Sequence, residues 1–423
     1  MSSVRIDNIR LLDPSTDTEA PVSLGIRDAL IVDSDTLTQP DTVIDGSGLT
    51  ACPGLIDLYA RLREPGHEKK GTIASETRAA LHGGVTSVVC SPDTDPVIDE
   101  SATVELINRR AADAGAARVL PLAALTQKLD GQQISELATL RDAGCVAASN
   151  ADKPIANAAV LRSIMEYAAT FDIRLHLVAQ EASLSNNGVM HEGFNSTRMG
   201  LIGIPVAAES VALGMIMELA GQTGASVHFS RITSARGIDL IRDAKHRGLP
   251  VTADTSINHL LLTDNDTLGF NSLCHVVPPL RSPRDQQALR DAIADGTLDA
   301  ICTDHAPLDP DSKLAPFPAT SPGISGLDIF LPLLIKLADE TALPLRKLIR
   351  LASRNPAQII GREPVRLQAG SVADIVLFDA EESFICNSAE FVSKGHNSPY
   401  HGLSLRGRVK HCIIDGKHLP LGV

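Results

Sequence analysis

No apolar run in the 423 residues approaches the roughly 20 needed to cross a bilayer, and with a mean hydropathy of +0.06 a soluble protein is expected. The opening stretch MSSVRIDNIRLLDP has neither a basic segment ahead of an apolar one nor a small-residue cleavage site. No secretory signal is therefore evident, and the cytoplasm is the expected compartment. C-x-x-C pairs are also missing: Cys52, Cys90, Cys145, Cys274, Cys302, Cys386 and Cys412 stand singly. That spacing argues against a disulfide framework or a zinc knuckle, and the apolar neighbours of these residues suggest buried thiols. The formal net charge of −13 is spread without a basic tract, so the electrostatic footprint of a nucleic-acid binder is absent. Neither nucleic acid nor a membrane is an expected partner.

What is present is alternation. From about residue 54, short apolar runs alternate with longer stretches of helical period. The eight strand candidates are GLIDL (54–58), TSVVC (86–90), VLPLAAL (119–125), CVAAS (145–149), RLHLVAQ (174–180), SVHFSRI (226–232), PVTADT (250–255) and AICTD (300–304). Intervening segments such as ESATVELINRRAADAG and AESVALGMIMELAGQTG end on glycine, as capped helices do. Eight such units point to an α/β fold of the TIM-type (β/α)8 barrel kind, over 52–364. Residues 1–51 and 365–423 instead read as short antiparallel strands, so one small β-sandwich built from both termini is the economical arrangement.

In such a barrel, reactive groups sit at the C-terminal ends of the strands. The first strand runs into PGLIDLYARLREPG, and further segments include CSPDTDP (90–96), GVMHEGFNSTRMGLIGIPVAAES (188–210), VPPLRSPRD (277–285), TDHAP (303–307) and FVSKGHNSPYHG (391–402). Together these resemble the longer, bacterial class of dihydroorotases, within the cyclic amidohydrolases, over nearly the whole chain. The resemblance implies a barrel with a small β-sandwich, one or two zinc ions, and a metal-activated water. It also implies where the ligands should be. The His-x-His pair falls on Tyr59 and Arg61, the acidic pair of S-D-D-G on Asn150 and Ala151, and the later histidines on Val178 and Arg231. Asp304 alone is retained.

Zinc needs three or four imidazole, thiolate or carboxylate donors at about 2.0–2.3 Å, and guanidinium stays protonated at any working pH. The expectation is therefore a pseudo-enzyme with no metal and no cofactor, in which Arg61 and Arg231 fill the vacated site and neutralise Asp304. The family's substrate-carboxylate contacts fall on Arg63, Asp93 and Leu308. Asp93 would repel a carboxylate, and pairing with Arg63 is the expectation for it. His228, His259 and His305, like His396 and His401, are read as structural. Bacterial dihydroorotase-like chains without zinc ligands assemble with aspartate transcarbamoylase. The resemblance thus implies that enzyme's catalytic chain as partner in pyrimidine biosynthesis, with this chain a non-catalytic subunit, dimeric within a larger complex. Two alternatives stay open: an active dihydroorotase, hydantoinase or allantoinase with an unorthodox site, and a regulatory module whose pocket binds an effector.

Overall fold

The computed structural model describes residues 3–14 and 22–421. Residues 15–21 of the 1–51 segment, and the extreme ends of both terminal segments, lie outside the described residues. Eight parallel strands form the centre: β1 (Leu55–Ala60), β2 (Val85–Cys90), β3 (Arg118–Ala124), β4 (Ala147–Ser149), β5 (Leu175–Leu177), β6 (Val227–Phe229), β7 (Val251–Ser256) and β8 (Ala300–Cys302). Each expected run yields one strand. The run at 174–180 keeps only three residues in the ladder, Leu175–Leu177. The strands pair in chain order. A bridge between Ala60 and His305 brings the first and last together, with the Arg61 N–H donating to the His305 carbonyl at 2.9 Å.

Helices surround this barrel. Ser101–Ala114 and Val206–Thr223 are followed by Gly115 and Gly224, at φ 59° and 74°, where the left-handed turn suits a residue without Cβ. Their apolar stripes, Val104 and Ile107 on one and Leu213 and Ile216 on the other, are buried in the main core, each side chain contributing about 1.5–3 kcal/mol. Among the described residues no helix is long and apolar enough to cross a membrane, and all seven cysteines are free and buried.

A second sheet is assembled from both ends of the chain. Thr50–Pro53, the last N-terminal strand, pairs antiparallel with Ile375–Phe378 of the strand Ile375–Ile385, so the two ends are joined edge to edge. Ile6, Ile26, Ile375, Leu377 and Ile413 form its own core. Arg118 at the start of β3 donates to both Asp374 oxygens at 2.6 and 2.7 Å, fastening this sheet to the barrel with the two-pronged geometry that arginine allows.

Candidate functional site

Tyr59, Arg61, Arg231 and Asp304 converge at the mouth, brought there by the ends of β1, β6 and β8. The Arg231 guanidinium donates from Nη1 to Asp304 Oδ1 at 2.7 Å and from Nη2 to Asp152 Oδ1. Arg61 donates from Nη2 to the other Asp152 oxygen and from Nε to Asp93 Oδ2 at 2.8 Å, and its Nη1 lies 3.7 Å from Asp304 Oδ1. Asp152 thus bridges the two guanidinium groups, one oxygen to each. Tyr59 supplies the floor: the Arg231 guanidinium carbon sits 4.0 Å from its ring centroid and that of Arg61 5.1 Å, a cation–π arrangement. Its hydroxyl accepts from Arg61 Nη2 at 3.1 Å and from Ser91 Oγ at 2.9 Å.

These charges are deeply placed. Arg231 is 1% exposed and Arg61 8%. Burial alone would favour neutral guanidine, but Asp152 and its neighbours outweigh it and hold both arginines well above their ordinary range. Burial likewise opposes the Asp93 carboxylate, yet Arg61 holds it well below the usual range. A lower tier fixes the backbone of Arg231: its N–H donates to Asp254 Oδ1 at 2.6 Å, while Asp254 Oδ2 takes His228 Nε2 at 2.9 Å. Four residues at strand ends, Arg63, Ala151, Arg231 and Asp304, hold left-handed backbone at φ 68°, 49°, 59° and 50°.

The remaining expected residues take other places. Asn150 accepts the Val178 N–H at 3.1 Å and donates to the Lys153 carbonyl at 3.0 Å, so it ties the β4 and β5 ends together, and Val178 and Ala151 are buried. Leu308 is buried, its N–H donating to Asn397 Oδ1 at 2.9 Å. The expected Asp93–Arg63 pair does not form. Arg63 donates from Nε to the Pro307 carbonyl at 3.0 Å, and Asp93 goes to Arg61, whose guanidinium already points into the mouth. Burial and the nearby Arg61 bring Arg63 down to about 10. His305 donates from Nε2 to Glu76 Oε2 at 2.8 Å and accepts the Gly326 N–H at 3.2 Å, and His401 Nδ1 accepts the Ser388 N–H at 3.2 Å. His396 is exposed. Asp152 was missed by the sequence reading. Charge balance was the available signal: two buried arginines cannot be neutralised by one aspartate, and SNADKP places a carboxylate one residue beyond Ala151.

The residues around Asp304 do not fit a zinc ion. Guanidinium is no donor, and Arg231 Nη1 at 2.7 Å already occupies an oxygen that a cation would need. Among the described residues no three His, Cys, Asp or Glu side chains gather as a metal would require.

Beside the site, His259 donates from Nε2 to the Pro278 carbonyl at 3.2 Å and lies 2.8 Å from Ser256 Oγ through Nδ1. Burial pushes this imidazole down to about 4. The folded ring stays neutral as pH falls, whereas the unfolded ring takes up a proton below about 6.5, so stability is lost between those values. The loss is about 2 kcal/mol at pH 5. His259→Asn is expected to lose about 2 kcal/mol less than the parent between pH 7.5 and 5.0 in urea unfolding. Equal losses would mean that the folded ring is protonated.

Residues 48–236 match the family model described as Dihydro-orotase-like. A "Dihydroorotase-like protein" of Pseudomonas aeruginosa is 45% identical over 98% of both chains, and a "Dihydroorotase" of Geobacter sp. is 38% identical over 96% of this chain and 97% of its own. The fold is that of an L-hydantoinase from Arthrobacter aurescens, at TM-score 0.86 and 20% identity over 99% of this chain and 96% of that one. With a barrel of this architecture and relatives that match it almost end to end, the chain belongs to the dihydroorotase-like family of cyclic amidohydrolases.

Proposed function

We propose that this chain is a catalytically inactive member of the family and serves in the cytoplasm as an assembly subunit for aspartate transcarbamoylase in pyrimidine biosynthesis. The observation that supports inactivity is the Arg231 guanidinium seated on Asp304. Opening a cyclic amide at neutral pH needs an activated water, which a bound dication supplies by lowering the water's pKa to about 7. Here Asp304, the candidate base, gives an oxygen to a permanent cation at 2.7 Å, and Arg61 brings a second 3.7 Å away. Asp93 and Leu308 stand at two of the three carboxylate contacts that the resemblance implies, leaving Arg63 alone to hold an anionic substrate. The partner rests on the resemblance to ligand-less chains that assemble with the transcarbamoylase.

Both halves are testable. The purified chain is expected to hold less than a tenth of an equivalent of zinc after dialysis against it, and to show no dihydroorotate turnover. Stoichiometric zinc with turnover that disappears in Asp304→Ala would overturn the reading of inactivity. The transcarbamoylase of the same organism, expressed alone, is expected to be inactive or poorly assembled and to regain activity when this chain is added. No change on addition would overturn the assembly role.

A further inference from the structure

The C-terminal hairpin carries two histidines that stand apart from the barrel mouth. Strand Ser404–Ile414 turns into Lys417–Pro420 through Asp415 and Gly416, at φ 48° and 73°, as in the two-residue turn that Asp-Gly favours. The turn fixes the register, with Ile413 opposite His418 and Cys412 opposite Leu419. Successive side chains alternate between faces, so His411 shares the face of Ile413 and lies diagonal to His418, within reach across the strands. His411 Nδ1 and His418 Nε2 come to 3.0 Å, with ring centroids 5.0 Å apart and planes at 50°. Cys412 points the other way, to the Leu81 carbonyl at 3.4 Å. Both imidazoles are only partly buried, so a solute can reach them.

Imidazoles at this distance share one hydrogen bond, and they are also spaced as two ligands of one ion. Nitrogens about 2.0–2.1 Å from a metal lie about 2.8–3.0 Å apart at right angles and about 3.3–3.4 Å apart at the tetrahedral angle. The observed 3.0 Å therefore fits neighbouring corners of a square-planar or tetragonal shell, the geometry of Cu²⁺ and Ni²⁺. We infer that His411 and His418 form a metal site that takes Cu²⁺ first and Ni²⁺ or Zn²⁺ more weakly, with water completing the shell. Burial pushes both rings below the ordinary imidazole range, and His418 and Lys410 add to the effect on His411. No proton then has to be lost at neutral pH: the one between the rings moves to the far nitrogen of its own imidazole, and both facing nitrogens become donors. Of the neighbouring charges, Lys410 pairs with Glu382, Asp415 with Arg118 at 2.6 Å, and Lys417 is exposed, where salt screens it. Two donors are fewer than a closed zinc site needs, so the ion exchanges with solution and zinc does not survive dialysis. Lys417–Pro420 is an edge strand with one neighbour, and an ion held across the hairpin fastens it. The inference stands apart from the proposed loss of catalysis.

Titration of the full chain with Cu²⁺ at pH 7.5, read by electron paramagnetic resonance, tests it. One equivalent is expected to bind with a low-micromolar dissociation constant and with hyperfine splitting from two nitrogen donors. His411→Gln and His418→Gln are each expected to weaken binding at least about 30-fold and to leave at most one nitrogen. His396→Ala, at an exposed position elsewhere, should bind as the parent does. Copper should also raise the melting temperature of the parent by several degrees and leave that of either glutamine variant unchanged, since a ligand of the folded state stabilises it. Should a variant fail to fold, the nitrogen count in the parent still decides. Binding no tighter than millimolar, a nitrogen count other than two, or copper held equally well by His418→Gln, as at an adventitious site, would each overturn the inference.

Discussion

Arg231→Ala is expected to destabilise the chain by about 3–5 kcal/mol, because removing one partner of a buried ion pair strands the other in a dry environment. Here two carboxylates lose their partner at once. Asp304 loses its 2.7 Å contact and Asp152 one of its two guanidinium groups, while Tyr59 loses the cation over its ring. Since whole proteins hold only about 5–15 kcal/mol in reserve, the variant should unfold in markedly less urea. Arg231→Lys keeps the charge but cannot reach Asp304 and Asp152 together, so it should recover only part of the loss. Arg231→Met combined with Asp304→Leu should cost less than Arg231→Ala alone, since removing both ions leaves fewer stranded charges. A loss below about 1 kcal/mol for Arg231→Ala would show that these charges are not mutually compensating.

Asp152→Asn should produce the second large effect, about 2–4 kcal/mol of destabilisation, smaller because the Asp152 side chain is 27% exposed and water can partly replace it. That exposure also sets the character of the variant. Two buried guanidinium groups would face an opening to solvent with their shared carboxylate gone, an arrangement that recruits anions. Phosphate should therefore raise the melting temperature of Asp152→Asn by several degrees more than it raises that of the parent at matched ionic strength, as ligand linkage requires. Identical phosphate responses in the two proteins would mean that Asp152 is not the counter-ion that closes the site.

The barrel was legible because its strands are short runs of Val, Ile, Leu and Ala between helical stretches ending on glycine, and that pattern is local. The joining of the chain ends was legible for a similar reason, since both flanks carry two-residue alternation. What could not be read was partner choice among charges. Asp93 and Asp152 lie far apart in sequence, and whether either meets Arg61 or Arg63 depends on how the backbone turns after β1. Arg63 turns left-handed toward the Pro307 carbonyl, which leaves Arg61 to take both aspartates. Position-by-position likeness pointed to Tyr59, Arg61 and Arg231, which the structure brings together. It is silent about Asp152, which stands one residue past the family's acidic pair.

The left-handed backbone at Arg63, Ala151, Arg231 and Asp304 bears on how such a scaffold can be reused. For residues carrying a Cβ this conformation costs about 1–2 kcal/mol each, and under the proposed loss of catalysis nothing at this site would select for it directly. It persists because the hydrogen-bonded ladder of the barrel dictates where each strand must leave. A protein engineer, or a lineage under new selection, therefore inherits loops already turned toward one centre. Installing a new reaction there is a problem of choosing side chains, with the harder problem of shaping the main chain already solved.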